Sequence, residues 1–316
     1  MLNRRYLRIK VMQALYAFFQ SEGKDLAKAE VELFRNIDKI YDLYVLQLLI
    51  LPEVRDIAEN VSEEAKKKRL PTENDLNPNR KFLDNKIILL LQNNEFIAKY
   101  ADAKKLNWQN EYDLVKKIFT NIKNSKEYEA YIAAPDASFK MQQDFIVEMY
   151  ETYVAEYEIL IQHFEEKNIH WGDDIYLVHH LVAKTIAALE EDSEKNFSLM
   201  TLYKDAEEDR KFIKDLFRKT ILNDEENSKI IADKTSNWDM ERLAFMDLLL
   251  MRMAVAEVLY FPSIPVKVTL NEYIELSKMY STPKSKVFIN GVLDKLVADF
   301  KANDQIKKVG RGLLEE

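Results

Sequence analysis

Cysteine is absent from the 316-residue chain. That removes disulfides, thiolate metal sites and thiol nucleophiles together, and it fits a reducing compartment. Glycine and proline number only 5 and 7, where average usage gives roughly 22 and 16. A chain so poor in turn formers, and rich in Leu, Ile, Lys, Glu and Ala, makes few tight turns and is predicted to be all-α. No apolar run reaches the ~18 residues that signal a membrane span; Ile87–Leu91 is typical of the longest candidates. The first residues are basic, but Lys10 and Gln13 interrupt what would be a signal peptide's apolar region. These absences predict a soluble, cytoplasmic protein with no membrane partner. The 47% apolar share excludes global disorder, and the length predicts one large or two ordinary domains.

Phosphate-binding and nucleophile motifs are missing as well. No GxGxxG, GxxxxGK[ST] or GxSxG occurs, so dinucleotide, P-loop and serine-hydrolase chemistry have no sequence support. The four histidines, His163, His170, His179 and His180, lie near Asp173 and Asp174 but without metal-ligand spacing. Carboxylate pairs at helical spacing are what any acidic helical protein carries. The sequence predicts no enzyme, no metal and no cofactor.

Basic charge is scarce overall but concentrated. The net charge is −8, yet residues 1–21 carry Arg4, Arg5, Arg8 and Lys10 without an acid, +4 against −12 for the rest. A second acid-free window, Leu276 to Leu293, holds Lys278, Lys284 and Lys286. Two basic islands on an acidic chain suggest a local polyanion site if folding joins them.

Helical periodicity organises the chain. Leu7, Val11, Ala14, Leu15 and Phe18 share one face and predict a helix over 4–20. Asn3 can cap it, which puts Arg4, Arg5 and Arg8 in its first turns. Cations there oppose the helix dipole at a cost of ~0.3–1 kcal/mol each when exposed, but they suit a phosphate. At 100° per residue Arg5, Arg8, Met12 and Tyr16 share a flank, an arrangement fitted to single-stranded RNA. A second helix is predicted from about Lys24 until Pro52 breaks it, with a polar extension over 53–68. Phe82–Leu189 should hold four or five helices, with Met141–Phe164 as one aromatic-rich helix. Asp205–Leu222 follows as a helix, then a polar segment Asn223–Asn237, and then helices over Trp238–Tyr260, Val268–Tyr280 and Lys284–Phe300.

The last third carries a resemblance. Ile264-Pro265-Val266-Lys267-Val268-Thr269-Leu270-Asn271-Glu272-Tyr273-Ile274-Glu275-Leu276-Ser277-Lys278-Met279-Tyr280 resembles the IPxKVxINExIELAKxY signature of the NusB transcription antitermination family. Ser285-Lys286-Val287-Phe288-Ile289-Asn290-Gly291-Val292-Leu293-Asp294-Lys295 is similar to its SxxFVNGVLDK block. Trp238, Arg242, Asp247, Leu250, Arg252, Ala254, Glu257 and Leu259 resemble its W…R…D…LRxAxxEL helix. Arg4-Arg5-Tyr6-Leu7-Arg8 with Gln13-Ala14-Leu15-Tyr16 resembles its Arg-rich first helix. NusB-like RNA methyltransferases are a weaker match. The length, about twice that of typical members, resembles the family's long form associated with Bacteroidetes-type bacteria.

The resemblance implies an all-α NusB-like bundle interrupted by a helical insertion. The implied divisions are 1–23 as first helix, 24–195 as insertion, 196–302 as the remainder of the bundle and 303–316 as a polar tail. It implies an antitermination factor that binds boxA-type RNA together with NusE, a ribosomal small-subunit protein, and joins the RNA polymerase antitermination complex on ribosomal RNA operons. Arg4, Arg5, Arg8, Tyr16, Lys284, Lys286, Phe288 and Asn290 are then the implied RNA-binding residues. Asp247, Arg252 and Glu257 are the implied NusE contacts. Close helix packing is the expected reason for Gly291. The alternative is a NusB-fold interaction module whose insertion binds another partner, with weak or no RNA binding.

Overall fold

A computed structural model describes residues 2–135, 138–235 and 244–314. Among these residues all regular structure is helical, with fifteen α-helices and no strand. In chain order they are α1 (Arg4–Gln20), α2 (Leu26–Lys66), α3 (Glu73–Leu76), α4 (Lys86–Gln92) and α5 (Glu95–Lys104). Then come α6 (Tyr112–Lys123), α7 (Lys126–Ala133), α8 (Phe139–Met149), α9 (Glu158–Lys167) and α10 (Ile175–Ala187). The series ends with α11 (Ala206–Leu222), α12 (Asp224–Lys234), α13 (Phe245–Tyr260), α14 (Val266–Tyr280) and α15 (Ser285–Ala302). None of these helices is long and apolar enough to cross a membrane.

The chain forms two compact units, one of Ile37–Leu202 and one of Leu2–Asn36 with Tyr203–Glu316. The sequence places its divisions at 23/24 and 195/196, whereas the units divide at 36/37 and 202/203. The first turns of α2 account for most of that difference. Glu30 accepts from Arg218 and lies 3.7 Å from the Lys214 ammonium, and the Arg210 guanidinium sits 4.5 Å over the Phe34 ring.

In the discontinuous unit, α1 packs on α11 and α13, while α13 also packs on α12, α14 and α15. Leu7, Val11, Leu15 and Phe18 of α1 are buried as its period predicts. The Asn3 side chain accepts the Tyr6 N–H at 3.0 Å and caps the helix. α13 is buried on nearly all sides through Leu249, Leu250, Met251, Met253, Ala254, Val255, Ala256 and Val258, which marks it as the core helix of this unit. Residues 236–243, with Trp238 and Arg242, lie outside the described residues. The polar segment Asn223–Asn237, to which the sequence reading gave no secondary structure, holds α12. Asp224, Glu225 and Glu226 in its first turn complement the dipole, and Ile231 is buried.

The other unit is built around α2 from Ile37 onward, with Ile37, Ile40, Leu43, Val45, Leu48, Leu51 and Val54 all buried. Pro52 does not break α2, contrary to the sequence expectation. An internal proline costs ~3 kcal/mol or more, and burial of Leu48, Ile50, Leu51 and Val54 around it offsets that cost. Two indoles donate to α2 carbonyls, Trp108 to Leu46 at 3.0 Å and Trp171 to Lys39 at 2.9 Å. The span 82–189 holds seven α-helices rather than four or five. The extra breaks fall at Asn94, whose side chain caps α5, and at Glu156–Tyr157, which splits the aromatic-rich segment after a π-helical turn at Tyr150–Ala155.

His179 is buried in this unit beside the Tyr150 and Tyr176 rings, with no partner for Nε2. Burial pushes its pKa down from 6.5 to about 4. Between those values the unfolded chain binds the extra proton, so this contribution to stability is present above pH 6.5 and is lost as pH falls toward 4. The loss is bounded at roughly 3 kcal/mol. His179→Phe should narrow the difference in melting temperature between pH 7 and pH 4.5. An unchanged difference would show that the imidazole does not carry the acid sensitivity.

Candidate nucleic-acid interface

Helix α1 brings three arginines into its first turns, and each meets at least one acid; Arg8 and Arg5 share Glu272, 3.8 Å from Arg8 Nη1. Arg8 is buried at 2% exposure, and its Nε and Nη2 donate to the two oxygens of Glu257 at 2.8 and 2.6 Å. Glu257 is wholly buried and also accepts from Thr269 Oγ1 at 2.8 Å and the Tyr273 hydroxyl at 3.2 Å. Four donors thus fill the carboxylate's acceptor positions. Burial opposes the Arg8 charge, but Glu257 outweighs it and raises the arginine's pKa.

Arg5 sits one helical turn away and half-exposed. Its Nε and Nη2 donate to Glu272 of α14 at 2.9 and 2.8 Å. Arg4 reaches Glu208 at 3.0 Å and Asp209 at 3.3 Å, with its guanidinium 4.4 Å over the Phe212 ring. The pairing offsets the unfavourable position of these cations at the helix start.

The structure places two groups of the expected site residues largely inside the unit. Arg8 faces no solvent, because the flank it shares with Met12 turns into the core; Met12 is 1% exposed. Only Arg5 and Tyr16 of that flank reach the surface. The polar positions of α13 are likewise internal. Glu257 is taken by Arg8. Asp247 is 5% exposed and accepts from the Ser281 hydroxyl and, at 2.8 Å, from Ser285. Arg252 has a side-chain exposure of 17%, pairs with Asp224 at 3.2 Å and lies 5.5 Å over Phe19. Each of these three side chains is engaged inside the unit, and together they brace it.

The remaining residues converge through α13. Tyr16 is 42% exposed and packs edge-on against Phe245, the first residue of α13, at 5.3 Å. Asp247, two positions on, holds the serines that flank Lys284 in the turn between α14 and α15. Lys284 and Lys286 are exposed, and neither has an ion-pair partner among the described residues. The Asn290 amide donates to Asp294 at 2.9 Å, and Phe288 is half-buried. Gly291 is exposed, and a Cβ there meets nothing within 4 Å, so helix packing is not the reason for glycine.

Sequence reasoning missed Glu272 as the partner of Arg5, and Thr269 and Tyr273 as further donors to Glu257. Glu272 stands in the quoted signature as an unassigned position, and Thr269 and Tyr273 fall on its variable positions. Among the described residues no group of His, Asp or Glu is placed to hold a metal ion. His163 faces Glu111 at 3.8 Å, far in sequence from the aspartates considered for it.

Comparison with known proteins bears on this arrangement. The family model described as the NusB family matches residues 176–298. The transcription antitermination protein NusB of Salinibacter ruber is 43% identical over 105 residues, which cover 33% of this chain and 66% of that protein. The chain thus carries a NusB-family domain over residues 176–298. Its NusB relative in Chloroherpeton thalassium is 41% identical over 104 residues, covering 33% of this chain and 49% of that protein. That of Alkaliphilus oremlandii is 36% identical over 91 residues, 29% and 66% of the two chains. The matched stretch thus spans about half to two-thirds of these NusB relatives. No solved structure matches.

Two stability measurements check the assignments. Arg8→Ala strands a buried carboxylate and should cost about 3–5 kcal/mol in chemical denaturation. A cost under 1 kcal/mol would mean that the pair does not hold the unit together. Gly291→Ala should instead stabilise by ~0.4–1 kcal/mol, since the site has room for the methyl group.

Proposed function

We propose that the chain is a transcription antitermination factor that binds boxA-type single-stranded RNA together with NusE, within the RNA polymerase antitermination complex and chiefly on ribosomal RNA operons. It acts by binding rather than by catalysis, and its place is the cytoplasm, where transcription occurs. The observation that carries this reading is the tie made by α13. Its first turn holds the Tyr16 ring through Phe245 and the lysine-bearing turn through Asp247. Tyr16 and the lysine-bearing turn, more than 250 positions apart in sequence, therefore stand together at the start of α13. The arginines at the start of α1 lie toward the other end of α13, beside Glu257.

The RNA-binding set is Arg4, Arg5, Tyr16, Lys284 and Lys286, with Phe288 and Asn290 beside them. Arg5 and Tyr16 lie eleven residues apart on α1, about 16 Å along the axis and nearly on one face. That spacing suits an extended strand with phosphates near Arg5 and the lysines, and a base on Tyr16. Arg4 and Arg5 keep side-chain exposures of 34% and 41% while paired with Glu208, Asp209 and Glu272. A phosphate can therefore reach both guanidiniums, and the exposed Glu208 pair is of the kind worth only ~0–1 kcal/mol. A chain of net charge −8 repels RNA at long range, which makes a focused patch necessary. NusE would dock elsewhere than on Asp247, Arg252 and Glu257, which are internal.

A second reading makes the unit Ile37–Leu202 a docking module for another partner, with weak RNA binding. It is favoured by that unit's own core, most of which precedes the family match. Gel-shift titration with boxA-like and scrambled RNA, with and without NusE, separates the two. On the first reading, Arg5→Glu with Lys284→Glu weakens boxA binding and lowers the salt slope by ~0.7 for each phosphate no longer held. Tyr16→Ala should cost ~1–3 kcal/mol if a base stacks there. Helicity and melting should stay close to wild type. Unchanged RNA affinity in the folded double variant, at matched salt, would place the site on another face.

A further inference from the structure

The segment after α15, expected from sequence to be a polar tail, folds back on its own unit. The Val309 N–H donates to Pro262 O at 2.9 Å, and Lys308 Nζ donates to Phe261 O at 2.9 Å. Gly310 takes a left-handed conformation at φ +54° and turns the chain into a short 3₁₀ turn at Gly310–Leu313. Gly312 then lies so close to the 262 carbonyl that a Cβ would stand 1.9 Å from Pro262 O. The segment is thus a strap seated at one register, and any side chain at 312 would lift it.

The strap closes one side of a cleft of about 1190 Å³, whose other walls are the start of α1, the exposed side of α11 and the Phe261–Pro265 turn. Arg311 enters it from the strap and Lys211 from α11. Five cations line the cleft with Glu208, Asp215 and Glu272, and Arg4 and Arg5 engage Glu208 and Glu272. Arg4 and Arg8 also pair with Asp209 and Glu257, which do not line it, so Lys211 and Arg311 are the cations left for a ligand. Among the described residues neither Lys211 nor Arg311 reaches a carboxylate within ion-pair distance, and both are exposed. Asp215, one turn beyond Lys211, lines the same cleft and is the acid that tempers their charge. Apolar surface is present too, in Tyr260, Pro265 and Val268, the last 42% exposed.

We propose that this cleft is an extension of the RNA site, in which Arg311 of the strap and Lys211 of α11 hold phosphates of nucleotides that continue past Arg5. The inference rests on the RNA-binding reading above. An open groove with two exposed cations outside any ion pair and an apolar wall matches a single-stranded backbone with unstacked bases. The volume exceeds that of an ordinary small-molecule pocket, ~300–1,000 Å³, as a groove for more than one nucleotide requires. Arg311 and Lys211 are binding residues in this scheme, and Gly312 is a positioning residue that seats the strap.

The test is fluorescence anisotropy with the full chain and a boxA-like RNA, extended on both sides, over a series of salt concentrations. Arg311→Ala and Lys211→Ala should each lower the slope of log affinity against log salt by ~0.7, with melting unchanged. The loss should vanish on an RNA trimmed to the core segment, because the cleft is then empty. Gly312→Ala should reproduce the Arg311→Ala loss on the extended RNA. Wild-type slopes and affinities in both alanine variants would overturn the cleft while leaving the RNA reading intact. Failure of the wild-type chain to bind either RNA would instead remove the RNA reading, and the cleft with it.

Discussion

The buried pair between Arg8 and Glu257 constrains everything else in the discontinuous unit. A carboxylate with no solvent access is tolerable only when its acceptor positions are filled. Here they are filled by the guanidinium, Thr269 and Tyr273. The donors come from α1 and α14, and the acceptor from α13. None of the three helices can rotate without breaking a bond to a charge, so the pair fixes their mutual rotation as apolar packing alone would not. Arg5 and Glu272 follow from it. With Arg8 pointed into the core, the residue one turn earlier emerges beside the middle of α14.

That constraint divides a basic motif into two functions. Arg8 is used inside, where the pair is strong because water is excluded. Arg4 and Arg5 remain partly exposed, with side-chain exposures of 34% and 41%, where a ligand can reach them. The same division explains why α13 carries polar residues that are engaged inside the unit. Asp247, Arg252 and Glu257 each stabilise a junction between α13 and a neighbour: the turn before α15, the start of α12, and α1 with α14. A helix that is the centre of its unit makes its polar contacts inward.

Local signals made much of this legible in the sequence. The α1 stripe, its Asn3 cap and the α11 start at Asp205 follow from periodicity and capping, which act within one or two turns. Pro52 misled because propensity is a local quantity, and burial of Leu51 and Val54 overrode it. The split of the arginines was not legible, since periodicity puts Arg5, Arg8 and Met12 on one flank without saying that the flank is half-buried. Nor was the cleft. It requires residues 308–312 to meet 261–262, and its only local sign, a glycine at 312, is indistinguishable in sequence from one at 291 that touches nothing.

Arg8 and Glu257 are 249 positions apart, and the unit Ile37–Leu202 lies between them in the chain. Closing a unit across so long an interruption sounds costly, but closure entropy grows only logarithmically, by ~0.6 kcal/mol for each doubling of length. An intervening segment with its own core also offsets its own ordering entropy, through residues such as Trp108, Tyr150 and Phe164. The α1 stripe and one fully satisfied charge pair therefore need only overcome a modest closure term. This is why a first helix can be separated from its bundle by a whole folded unit without losing its place. A buried charge that finds all its donors on specific helices admits one docking of α1, and a purely apolar stripe would admit several.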